Sequence, residues 1–241
     1  MEMLSILLSV VGFIIPLLVV GVVIYIILTV SKNKNGNTKF KLSSKTLLQI
    51  YLYVLSFLTL GICVIGATTA IKAAISFQFD IPFSYTLQKA QDYEEAKMFD
   101  APLQRSDFKE CYSGDVVSYY DTDFCFDNNE RRTDLINGIT LFVSMAILFF
   151  IHQYALSKIK KEKRIGWLKK IYTFASLILY SVVSIVAIPT AIYQLTNYIL
   201  FEAGEGIYQT PNAPAMPIAI ALISIPLWIL FLRETMQLKE D

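Results

Sequence analysis

Long apolar runs alternate with polar linkers along this chain. Five runs stand out, at residues 4–30, 46–75, 135–156, 171–200 and 217–232. A helix needs about 20 mostly apolar residues to cross a bilayer. Four of the runs meet that length; the fifth is short and holds Pro226, which makes it the marginal member. The run 46–75 organises the rest. Its only charge, Lys72, lies near one end; a lysine-rich segment precedes it and an acidic, cysteine-bearing segment follows. Pro16 and Pro189 mark expected bends. Run 4–30 follows Met-Glu-Met, which holds no base, and it exceeds the roughly 7–15 apolar residues of a secretory signal. It reads as a retained helix.

Composition agrees with this pattern. The 241 residues are 55% hydrophobic, which excludes an ordinary soluble domain. The net charge of +1 offers no bulk basicity for nucleic acid. The placement of charge is more informative. Linker 31–45 carries Lys32, Lys34, Lys39, Lys41 and Lys45 and no acid. Linker 157–170 carries seven bases against Glu162. Segment 76–133 instead holds twelve acids and six bases. Short basic loops stay on the cytoplasmic side. The expected topology therefore places both linkers and the C-terminus inside, and the N-terminus and segment 76–133 outside. The chain reads as a multi-pass plasma-membrane protein. Its parts are a helix at 1–30, a basic linker at 31–45, a four-helix domain at 46–235 and a cytoplasmic tail at 236–241. The fold class is all-α, with five transmembrane helices and a disulfide-containing outer segment.

Three stretches carry a resemblance: YLYVLSFLTL at 51–60, IHQYALSKIKKEKRIGWLKKIYTFASLIL at 151–179 and IALISIPLWILFLRE at 220–234. Across 47–234 the chain resembles an uncharacterised bacterial four-helix integral-membrane domain family. The resemblance implies four packed helices and no established activity. Run 4–30 lies outside it, and segment 76–133 is longer than the family's connection.

Candidate chemistry is sparse. Cys111 and Cys125 close a loop in the outer segment, and outside the cytoplasm such a pair reads as a disulfide. Cys63, in mid-run, reads as a buried small hydrophobe. The acidic run 121–130 lacks the central glycine and alternating spacing of a calcium loop and reads as solvated surface. No Asp or Glu falls inside the five runs. Lys72 is expected to snorkel to the interface, and His152 to sit as a packed or interfacial imidazole. Residues 88–99 have helical character. Gly61, Gly66, Ala70 and Ala74 place small side chains along run 46–75, a face on which another helix could approach closely. No phosphate-binding glycine loop, nucleophile elbow or H-E-x-x-H motif occurs.

The expectation is a non-enzymatic membrane scaffold or subunit with no cofactor and no metal. Its surroundings are the lipid bilayer and either a membrane-protein partner, met through segment 76–133, or a second copy. The competing reading is a small oligomeric transporter or channel, with Thr68, Thr69, Asn137, Thr140, Ser144, Ser181, Ser184 and Thr190 as path-lining candidates. A membrane enzyme, with its chemistry in the outer segment, is the third.

Overall fold

The computed structural model describes residues 44–89, 111, 114–119, 122–160, 164–202 and 209–238. Packing divides the chain into Met1–Leu48 and Gln49–Asp241, and nearly all described residues belong to the second unit. The expected crossing at 4–30 lies outside the described residues.

Four helices are long and apolar enough to cross a membrane: α1 (Ser44–Ile75), α3 (Asn128–Lys158), α4 (Gly166–Ile199) and α5 (Ala215–Met236). At about 1.5 Å per residue, α5 alone is about 33 Å long. The short run at 217–232 thus gains enough flanking turns to span. It does so although Pro226 lies inside it, as Pro189 lies inside α4. Each proline removes one backbone donor, but an apolar helix that long has enough other bonds to continue through it.

α1 is the shared neighbour. It runs antiparallel to α3, and the two meet where glycines remove side chains. A Cβ on Gly66 would fall 2.5 Å from the Phe142 amide nitrogen, and one on Gly138 would fall 2.5 Å from the Ala70 nitrogen. Backbone therefore touches backbone at this crossing. Nearer its start α1 meets α3 and α4 together: Leu52 and Tyr53 form one buried cluster with Leu156 of α3 and Leu168 of α4, and Tyr172 packs on it. α4 in turn packs against α5. There Tyr180 stacks on Phe231 at 5.8 Å, and Ser184 Oγ donates to Ser224 Oγ at 3.1 Å.

Between α1 and α3 the chain builds a small cap, so the all-α expectation needs correction. After the one-turn helix α2 (Ile81–Ser84) come strands β1 (Gln88–Lys89), β2 (Asp115–Tyr119) and β3 (Thr122–Phe126). They form an antiparallel sheet in the order β1-β3-β2. Val117 opposes Phe124, and Val116 opposes Cys125. Alternation then puts Val117, Tyr119, Phe124 and Phe126 on one face. That face packs with Tyr85 and Leu87 into a second core in which Phe124 is fully buried. The helical expectation for 88–99 fails at its start, where Gln88 pairs with Cys125 in the sheet. The remainder of that stretch lies outside the described residues.

Candidate functional site at the sheet end

The sheet sits over the ends of the helices, and polar groups tie it there. Lys72, in the last turn of α1, pairs with Asp134 of α3 at 2.9 Å. Its ammonium lies 4.0 Å from the centre of the Tyr85 ring. The Tyr85 hydroxyl donates to the same Asp134 oxygen at 3.1 Å. Burial first, and then the Asp134 carboxylate, push the Tyr85 phenol above its ordinary range. It therefore stays protonated and remains a donor. Lys72 does not snorkel alone; a carboxylate at its own depth neutralises it.

Arg131 makes a second tie. Its guanidinium donates to the Ser76 carbonyl at 3.3 Å and to Asn128 Oδ1 at 3.1 Å, and it lies over the Phe77 ring at 4.2 Å. A cation there complements the carbonyls beyond the C-terminus of α1. At the start of α3, Asp127 is the N-cap and accepts from the Asn129 amide at 2.8 Å. The third tie is to α5. Leu87 N donates to Thr210 Oγ1 at 2.8 Å, and Thr210 N donates to the Leu87 carbonyl at 2.9 Å. Thr210 stands five residues before Ala215, so the start of α5 is fixed to the sheet.

A disulfide joins Cys111 to Cys125 with 5.5 Å between the Cα atoms. Cys125 lies in the register of Val116, on the face away from the buried aromatics. Gly114, between Cys111 and β2, has φ of 98°. A side chain there would be strained and would collide with the Phe126 carbonyl, so this turn is suited to glycine. The open face shows Val116, 45% exposed, and the exposed Ser118.

Among the described residues the acidic side chains here do not gather. Asp127 caps a helix, and Asp115 accepts from Asn128 Nδ2 at 2.7 Å. Among the described residues no three His, Cys, Asp or Glu side chains lie close enough to hold a metal. Among the described residues this end offers a folded surface on which Lys72 and Asp134 neutralise each other.

The remaining sequence candidates fall elsewhere. Gly66 and Ala70 meet Gly138, whereas Gly61 faces open space and Ala74 is exposed. The four therefore do not form one contact face. Cys63 is half-buried rather than buried, its Sγ 3.8 Å from the Phe142 carbonyl oxygen. His152 is buried, with Nδ1 2.6 Å from the Leu148 carbonyl and its ring tilted against Tyr51. Of the polar helix residues, Thr68, Thr69, Ser144 and Thr190 bond to carbonyls of their own helices, and Ser184 bonds across to α5. Asp134, Arg131 and Thr210 were not among the sequence candidates. For Asp134 a signal existed: it is the one acid bordering run 135–156, beside the end of α1 that holds Lys72.

No family model matches the chain, and neither the curated proteins nor the solved structures contain a match.

Proposed function

We propose that the protein is a multi-pass plasma-membrane protein without catalysis of its own, a scaffold or subunit of a membrane complex. It meets its partner through the sheet-bearing segment 76–133 on the outer side of the membrane. One observation carries the reading: the sheet has its own buried core around Phe124 yet leaves its other face, with Val116 and Ser118, open. A loop that merely joined two helices would need no such core. The basic linkers supply the orientation. The resemblance to a four-helix membrane domain belongs to the same proposal.

Orientation and contact are tested together. In a chain lacking the native cysteines, Ser118→Cys should react with an impermeant thiol reagent added to intact cells. Asn35→Cys and Lys163→Cys should not. Labelling of Asn35→Cys with protection of Ser118→Cys would invert the topology. A photo-crosslinking residue at Val116 in the native chain should give an adduct with another membrane protein, and reduction of the disulfide should diminish it. Loss of the whole open face with no change in the proteins that copurify would sink the scaffold reading.

A further inference from the structure

Charge is handled differently at the two ends of the helices. At the sheet end Lys72 is matched by Asp134, and Arg131 donates to the Ser76 carbonyl and to Asn128 Oδ1. At the other end, where 157–170 joins α3 to α4, segments 157–170 and 233–241 together hold nine bases and four acids. One of those acids, Glu234, pairs with Lys169 at 3.0 Å. Five bases are left over even with every one of the four acids paired. Residues 1–45 do not supply the missing charge: they add five lysines and a single acid, Glu2. The surplus is left to whatever surrounds the chain.

The bases here share one corner. Leu156 of α3 and Leu168 of α4 meet in one buried cluster, so Lys158, which ends α3, and Lys169, in the first turn of α4, lie close to the same contact. Arg164 holds the turn between them, donating to the carbonyls of Ile159 at 2.9 Å and Ser157 at 3.0 Å. Lys158 and Lys160 are exposed. The Lys158 ammonium lies 4.8 Å from the centre of the Tyr154 ring, itself 63% exposed. Trp167, 42% exposed, stands in the first turn of α4. Further into the two helices Ile151 and Phe174 are exposed and apolar. Bases at a helix end, then aromatic rings, then aliphatic side chains make a surface that is cationic at headgroup depth and apolar below it.

We propose that this corner binds the headgroup of an anionic phospholipid, with Lys158 and Lys160 at the phosphate and Tyr154 and Trp167 at the depth of the glycerol. A phospholipid fits better than an acidic protein segment because the charged surface passes directly into an apolar one. An anion with a hydrocarbon tail satisfies both. Clusters of about four to eight bases beside a membrane helix attract anionic headgroups, each base contributing about fivefold in affinity. The inference rests on the reading that these helices span a membrane. It depends neither on which side is cytoplasmic nor on the role of the sheet.

Tryptophan quenching in lipid discs tests it. The chain holds two tryptophans, so Trp228→Phe leaves Trp167 as the reporter. Brominated phosphatidylglycerol diluted into phosphatidylcholine should quench it strongly. Brominated phosphatidylcholine at the same fraction in phosphatidylglycerol should quench it weakly. The ratio gives the preference for the anionic headgroup, expected at about 25-fold for the two exposed lysines. Lys158→Gln should lower it about fivefold, and Lys158→Gln with Lys160→Gln should bring it near one. Arg132→Gln, at an exposed position of the sheet end, should leave it unchanged. Equal quenching by the two lipids would overturn the inference, as would a preference that survives the double change or falls equally with Arg132→Gln. So would a copurifying acidic protein that shields Trp167 from both lipids. Alkaline carbonate extraction keeps the two readings separate: a chain released from membranes fails as a membrane protein, and a retained chain with equal quenching fails only here.

Discussion

At one end of the bundle the helices finish beneath a sheet with a core of its own. At the other, the end of α3 and the start of α4 are held by caps. The sheet end gathers Tyr85, Leu87, Phe124 and Phe126, a disulfide, and the ties from Lys72 and Arg131. At the linker end, Arg164 donates to the carbonyls of Ile159 at 2.9 Å and Ser157 at 3.0 Å, closing α3. Gln49 of α1 accepts from the Ile165 amide at 2.9 Å, opening α4. Lys169 of α4 pairs with Glu234 of α5 at 3.0 Å. The three bonds to backbone groups satisfy helix termini, and the ion pair joins α4 to α5. The difference separates presentation from register: the first end builds a surface, and the second fixes where the helices start and stop.

The comparison breaks most easily at Phe124. If the sheet is a unit distinct from the bundle, Phe124→Ala should remove about 3–5 kcal/mol from the sheet alone. Hydrogen exchange should rise across Asp115–Tyr119 and Thr122–Phe126 and stay slow in α4. An equal rise in α4 would make the two regions one cooperative body. The disulfide comes next. Cys111 and Cys125 are separated by 14 residues, and a loop of that size is worth about 3 kcal/mol on the chain-entropy model. Cys125→Ser should therefore speed proteolysis of the sheet segment while leaving membrane insertion unchanged.

Lys72→Met sharpens the comparison further, because it tests the tie instead of the sheet. Asp134 would keep the Tyr85 hydroxyl but lose its cation, a cost of about 2 kcal/mol for a partly buried charge left unpaired. Thermal unfolding in detergent should show the loss. The double change Lys72→Met with Asp134→Asn should recover most of it, since no lone charge remains. Failure to recover would mean that Lys72 acts through its contact with the Tyr85 ring instead.

The apolar runs announced four of the described helices, because a span of hydrocarbon demands continuous apolar sequence and little else does. The cysteine pair pointed to structure between α1 and α3, where the sheet lies. The sheet itself was also partly legible: Val117, Tyr119, Phe124 and Phe126 alternate at period two, the strand signature. The pairing of Gln88 with Cys125 was not, since it joins residues far apart in sequence through backbone atoms. The small-residue face could have been drawn more sharply. At about 100° per residue, Gly61 lies about 140° around α1 from Gly66, so the two cannot serve one contact. Gly66 and Ala70 can, yet only the structure shows Gly138 as what they meet. Asp134 was overlooked because it borders an apolar run, where an acid looks like part of the preceding loop. The cap at Ile165 depends on which helix ends adjoin, since Gln49 comes from α1, and no local pattern encodes that.

Gln49→Ala gives the smallest effect and the cleanest discrimination. Ile165 is the N-cap residue of α4 and has no side-chain cap of its own. The Gln49 side chain, 3% exposed, brings the acceptor from α1. Losing one such terminal bond costs about 1 kcal/mol. The Ile165 amide should exchange about fivefold faster, and the first turn of α4 should fray with it. The sheet amides should not change, because nothing in the linker-end contacts reaches the core around Phe124. If the sheet amides quickened by the same factor, α1 and α4 would be passing the loss from one end to the other. The two ends would then be a single structure, with register and presentation no longer separable.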